Sequence, residues 1–357
     1  MASNEQPEIP LRVQVGQLFL VQPDPAKAPR EALEAHLEYF YGGFMPRAAN
    51  LKSVDEARAL TRLMRDHWRK LPPAPVATDE EGGLVSDIGH LTTPAPSAAA
   101  LGVLDDVEVT EDVYEGIGRK LRALGINTVF APVLDVNAEG SNPVIGTRAF
   151  GGTARTVSAH GVAALKGLRK AGVVSCAKHF PGHGATTEDS HRSLPRVDAD
   201  RALLTDRELA PFMEAFEKAS PDMVMTAHVV YPGLGESKKP ATLSHKILRD
   251  LLRGELGYKG VVITDAMEMA GVATLMAPEQ AAVEAVLAGA DQLLYTDCAL
   301  AARGYRGVLK AAESGTIPVD RIAESLERVF RLRRSLASRS WMNEDDAWEA
   351  LTVSEES

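Results

Sequence analysis

Between Lys178 and His191 the chain reads KHFPGHGATTEDSH, which places three of its nine histidines, two acids and a lysine within fourteen residues. Side chains of these types do two kinds of chemistry, metal ligation and proton transfer. His179 and His183 are spaced i, i+4, which suits zinc when a helix carries both on one face. Pro181 and Gly182 stand between them and break a helix. The end of the first apolar run, LFLVQPD, also lacks the His-x-His pair expected of a barrel metallohydrolase. No metal and no other cofactor is therefore expected. Asp189 and His191 lie two apart, so in an extended loop both side chains point to one face. A carboxylate bonded to one imidazole nitrogen fixes the tautomer and favours the charged ring. A ring tuned in this way is a general acid near neutral pH. A solvated loop with an incidental Asp–His pair has the same spacing, so the pair alone does not decide.

Asp265 adds a second reactive group. It closes the apolar run GVVIT, where a lone carboxylate is costly unless charges or hydrogen bonds hold it. Lys178 or Arg148 is expected to supply the positive partner, keeping Asp265 ionised and available as a nucleophile. A strand-end aspartate that caps the following helix is the competing explanation. Asp79, Asp135, Lys178, His179 and His228 also fall at the ends of short apolar runs.

Those runs define the elements that must position the reactive groups. Strand patterns occur at 17–21, 39–45, 75–80, 128–136, 173–180, 222–229, 260–267 and 291–296. Several are near-continuously apolar, as buried parallel strands are. Ser53 and Glu56 form a capping box ahead of Leu60, Leu63, Met64 and Trp68, and Thr205 and Glu208 repeat it ahead of Leu209, Phe212 and Met213. Further helices are expected near 30–38, 110–124, 155–171, 244–256, 278–289 and 320–337. Eight strands alternating with eight helices predict an α/β fold, a single-domain (β/α)8 TIM barrel over 1–340, with an acidic tail at 341–357. An open doubly wound sheet is the rival, but no G-x-G-x-x-G follows the first strand. In a barrel, the strand-end residues above would share the C-terminal rim, where active sites form.

Composition narrows the function classes. A formal charge of −10 and a pI near 5.5 argue against a nucleic-acid partner. No apolar run reaches the length of a membrane span, and MASNEQPEIP has neither the basic nor the apolar region of a secretory leader. With only two cysteines, a cytoplasmic protein is expected. Nothing in the sequence specifies an oligomeric state.

Taken together, QLFLV, DEEGG, GINTVFAPVLDVN, PVIGTRAFGG, AKHFPGHGATTEDSHRSLP, DMVMTAHVVYP, PATLS and GVVITDAMEM resemble glycoside hydrolase family 3. The likeness is to its single-domain bacterial β-N-acetylglucosaminidases of cell-wall recycling, and it runs over about residues 14 to 335. It implies a retaining exo-β-N-acetylglucosaminidase acting on muropeptide or chito-oligosaccharide. Asp265 would be the nucleophile, and His191 the acid/base with Asp189 as its partner. Asp79, Arg148, Lys178 and His179 would hold the hydroxyls of the terminal sugar. Larger family members take the acid/base carboxylate from a second domain; here it is expected from the barrel itself. Where the subfamily pattern continues EGG with Arg-Val-x-Arg, this chain has Leu84 and Asp87, which removes two positive charges and leaves β-glucosides and β-xylosides as alternative substrates. Ala266 also follows the nucleophile where an Asp often stands. A histidine acid becomes neutral after proton donation and repels phosphate less than a carboxylate does, so minor phosphorolysis is a side possibility.

Overall fold

The computed structural model describes residues 9–67, 72–138, 140, 142–190 and 193–339. Trp68, His191 and the tail at 341–357 lie outside the described residues.

Each of the eight apolar runs contains a barrel strand: β1 (Phe19–Val21), β2 (Gly43–Phe44), β3 (Ala77–Thr78), β4 (Thr128–Val129), β5 (Val174–Phe180), β6 (Met223–Thr226), β7 (Val261–Ala266) and β8 (Gln292–Tyr295). They pair in the order β2–β1–β8–β7–β6–β5–β4–β3, parallel throughout. A parallel bridge from Phe44 to Val76, just before β3, closes the ring. The protein is a TIM barrel. Leu20, Ala77, Phe130, Val174, Cys176, Met223, Met225, Val261, Ile263 and Leu294 form its interior cluster. Within β5, β6 and β7 these residues alternate, as a strand period of two requires. A separate, larger apolar layer fills the space between strands and helices.

Two helix assignments change. The sequence pattern makes 320–337 the helix that follows β8. The chain instead forms a helix over Cys298–Glu313, capped by Asp297, which accepts from the Ala299 and Leu300 N–H groups. Its buried face is mostly Ala and Gly, with Tyr305 and Val308 as its larger members. Those small residues let it close on the Pro278–Ala288 helix: a Cβ at Gly307 would lie 2.6 Å from the Glu279 carbonyl oxygen. The Val319–Ala337 helix then passes beneath the barrel. Its Val329, Leu332 and Leu336 enter the interior cluster, and buried Arg333 donates to the Pro72 carbonyl and to Gln17, ahead of β3 and β1.

The second correction concerns Thr205 and Glu208. The helix they were expected to start begins at Arg201, capped by Asp200, which accepts the Leu203 N–H at 2.8 Å. Thr205 lies inside it and donates to the Arg201 carbonyl, while Glu208 is buried against Arg207. Ser53 does accept the Glu56 N–H at 3.2 Å. Among the described residues, no helix is long and apolar enough to cross a membrane.

Candidate active site

The C-terminal ends of the strands surround a cavity of about 500 Å³, lined by Met45, Arg47, Asp79, Arg148, Lys178, His179, Ser190, Asp265 and Glu268 among others. A larger groove of about 1060 Å³ runs between the Ala210–Lys218 and Lys246–Glu255 helices at the other end of the barrel and carries none of these groups. Chemistry belongs to the smaller space, because that is where the strands deliver their ionisable ends.

One wall is a network of ion pairs. Lys178, at 2% side-chain exposure, reaches Asp79 at 2.7 Å and Glu81 at 2.5 Å. Glu81 in turn accepts two bonds of 2.8 Å from Arg148, a bidentate fork. Burial works against the charged form of Asp79, but Lys178 and Arg47 outweigh it and hold the carboxyl down at about 2. Glu81 is likewise lowered against its own burial by Lys178 and Arg148. Each carboxylate is thus fixed as an anion, and Asp79, which lines the cavity, can accept a sugar hydroxyl.

Beside this wall, His179 Nδ1 meets Asp135 Oδ2 at 2.7 Å, and Asp135 Oδ1 accepts the His179 and His183 N–H groups. Asp135 is fully buried, and its carboxyl is lowered despite that burial by the His179 and His183 neighbourhood. The aspartate therefore takes the Nδ1 proton as acceptor and turns His179 Nε2 toward Arg148, 3.5 Å away. His183 also borders the cavity, but its ring is committed. Its two ring nitrogens meet the hydroxyls of Thr186 and Ser190, each at 2.9 Å, and burial pushes it down to about 4, so the ring is neutral. It fastens the loop from behind, because Ser190 stands between Asp189 and residue 191.

Asp265 sits on the cavity floor at the end of β7. Burial raises its carboxyl, but the His179 and His228 rings, the Ala266 N–H at 2.8 Å and the charge of Lys178 together hold it below the usual carboxylate range. The expected pairing differs in detail. The Lys178 ammonium is bonded to Asp79 and Glu81 and the Arg148 fork is spent on Glu81, so Lys178 acts on Asp265 through its field. His228 is held in place by Thr242 and by the Ala266 carbonyl, 3.0 Å from Nε2.

The structure gathers Asp79, Arg148, Lys178, His179 and Asp265 around one cavity. Asp189 lines an adjoining hollow of about 340 Å³ that shares Val85, Val144 and Arg148 with it. Two further residues escaped the sequence reading. Glu81 is the hub of the cation network, and its position in DEEGG, two residues beyond Asp79, was the available signal. Arg47 had no signal of its own. It reaches the cavity from the chain after β2, bonding Asp87 at 2.7 Å and approaching Asp79 at 3.4 Å. Buried Asp87, also fed by the Thr78 hydroxyl and the Ala48 and Asp79 N–H groups, holds that guanidinium in place.

A closed parallel barrel whose C-terminal rim fixes several carboxylates, two arginines and a lysine around a sugar-sized space is the layout of a carbohydrate-active barrel. Residues 10–332 match the family described as Glycosyl hydrolase family 3 N terminal domain, and the chain belongs to this family. It is 35% identical over 340 residues to Beta-hexosaminidase A of Pseudoalteromonas piscicida, covering 87% of this chain and 56% of that protein. It is 35% identical over 306 residues to the Beta-hexosaminidase of Chromobacterium violaceum, covering 84% of this chain and 83% of the relative. Among solved structures, the family 3 β-N-acetylglucosaminidase of Paenibacillus sp. superposes with a TM-score of 0.88 at 37% identity, over 98% of this chain and 65% of that one. The chain thus spans less than two thirds of the length of two of these three proteins.

Proposed function

We propose that the protein is a retaining exo-β-N-acetylglucosaminidase, releasing terminal non-reducing β-linked N-acetylglucosamine through a covalent glycosyl-enzyme. The observation that carries this reading is Asp265, held ionised on the floor of a cavity whose wall includes Ser190, the residue before His191. The names of the relatives favour an N-acetylated sugar over a plain hexose or pentose.

In the first step an Asp265 oxygen attacks the anomeric carbon through an oxocarbenium-like transition state. The bond to the leaving oxygen breaks, and that oxygen takes the proton of His191, whose charged form Asp189 favours. In the second step water attacks the same carbon, gives its proton to neutral His191, and Asp265 departs as the carboxylate. Asp79, Arg148, Lys178 and His179 hold the hydroxyls of the terminal sugar, while Glu81 keeps Lys178 and Arg148 in register. The substrate class is a muropeptide or chito-oligosaccharide end. A cytoplasmic setting is supported by Cys176 and Cys298, both unpaired thiols.

Two comparisons test the reading. On nitrophenyl glycosides, the β-N-acetylglucosaminide should be turned over well ahead of the β-glucoside and β-xyloside. Asp265→Ala should be inactive on every substrate, while His191→Ala should lose about 10²–10⁴-fold on natural glycosides and far less on an activated aryl leaving group that needs no proton. Equal losses by both variants on the activated substrate would contradict the assignment of roles.

A further inference from the structure

Ser190 stands next to the acid/base position in the chain and is 1% exposed, although it lies in a loop. Two bonds hold it, one from the turn after β5 and one from the segment after β7. Its hydroxyl meets His183 Nε2 at 2.9 Å. That turn is itself fixed: Asp135 accepts the His183 N–H, and the Asn142 amide donates to the His183 and Gly184 carbonyls. The Ser190 carbonyl accepts the Gly271 N–H at 3.0 Å. Gly271 lies six residues beyond Asp265, in the short helix Ala270–Ala273. The chain between them is pinned at the Ala266 carbonyl, which meets both His228 Nε2 and the Met269 N–H. Residue 271 has no space for a side chain. A Cβ there would lie 2.8 Å from His228 Cβ, 2.9 Å from the His228 carbonyl oxygen and 3.4 Å from the Ser190 carbonyl oxygen. His228 is buried and bonded to Thr242 and Ala266, so it cannot make way cheaply.

We infer that Ser190 and Gly271 are positioning residues that set the reach between the nucleophile and the acid/base. Their backbone bond ties the loop carrying Asp189 and His191 to the segment that leaves Asp265, and a residue without a side chain at 271 lets the two close. Any side chain at 271 pushes the loop away from the end of β7. Asp265 stands upstream of that contact, held by the Ala266 N–H, so its attack is affected least. Proton delivery to the leaving oxygen suffers, because a misplacement of about 1 Å costs about 10²-fold. The inference rests on the roles proposed for Asp265 and His191.

The experiment measures kcat/KM of the wild type, Gly271→Ala and Ser190→Ala on two substrates. Diacetylchitobiose needs a proton at its leaving oxygen, and dinitrophenyl β-N-acetylglucosaminide does not. Urea unfolding accompanies each variant. Gly271→Ala should lose about 30-fold on chitobiose and about threefold or less on the aryl glycoside. Ser190→Ala keeps the carbonyl bond and loses the His183 contact, so its chitobiose-to-aryl ratio should fall about fivefold. It adds no bulk, so it decides the matter if Gly271→Ala does not fold. Equal losses on both substrates, or no loss on chitobiose, would overturn the inference while leaving the activity standing. A wild type inert on both substrates would overturn the inference and the proposed activity alike.

Discussion

The barrel buries charge at both ends, and the two ends do it differently. Beneath the strands, Asp291 is fully buried and receives Arg253 at 2.6 Å, Arg328 at 3.0 Å, Ser325 at 3.0 Å and the Val262 N–H at 3.0 Å, with Arg321 at 3.5 Å. One carboxylate answers three guanidinium groups in packed surroundings. At the rim, three cations, Arg47, Arg148 and Lys178, meet three anions, Asp79, Glu81 and Asp87, and several members of the set line open space. The lower cluster spends every oxygen of its carboxylate on packed neighbours. The upper one is balanced in charge and sets Asp79, Arg47, Arg148 and Lys178 against open space, which is what a binding wall needs and a structural pin does not.

The sharpest way to break this comparison is to remove one carboxylate from each end. Asp291→Asn leaves Arg253 and Arg328 without their carboxylate partner, while Arg321 keeps Glu324 at 3.5 Å, and breaking such a group costs about 3–5 kcal/mol of stability. Its unfolding midpoint in urea should fall accordingly, while kcat/KM at 25 °C stays within about twofold of wild type. Asp79→Asn should do the reverse. Lys178 keeps Glu81 and Arg47 keeps Asp87, so stability should change by about 1 kcal/mol or less. A charged acceptor for a sugar hydroxyl is lost, so kcat/KM should drop by about 10²-fold. If Asp79→Asn unfolded as readily as Asp291→Asn and kept its activity, the rim would be another structural pin.

The two ends were unequally legible in the sequence. The eight strands could be read because buried parallel strands appear as short apolar runs, and their ends named Asp79, Lys178, His179 and Asp265 directly. Arg148 was legible through the PVIGTRAFGG stretch. The helix over Cys298–Glu313 was not, although its apolar residues share one face, because that face is mostly Ala and Gly and only Tyr305 and Val308 on it are large. Arg47 and Asp87 are partners across forty positions, and no local pattern couples them. Asp291 with Arg253, Arg321 and Arg328 is likewise a meeting of distant segments. Charge pairing at long range depends on which strands become neighbours, so it becomes readable only after the topology is known.

A third buried carboxyl tests what happens without a cation. Glu80 has no ion-pair partner among the described residues; it is held by the Ser86 hydroxyl and the Ile88 N–H alone. Burial raises its carboxyl from 4.5 to about 7, further than those bonds and the distant Lys120 can lower it. Between these values the folded chain keeps a proton that the unfolded chain has released, so stability falls as pH rises through that window and levels off above it. Glutamine fits the same place: its oxygen can take the Ile88 N–H while its amide donates to Ser86, and it has no proton to lose. Glu80→Gln should therefore match wild type near pH 4.5 and exceed it by about 2 kcal/mol at pH 8. Urea unfolding at the two pH values reads the difference. A wild type that gained on the variant as pH rose would mean that Glu80 is ionised in the fold, and that its segment is pinned by charge in the manner of the rim.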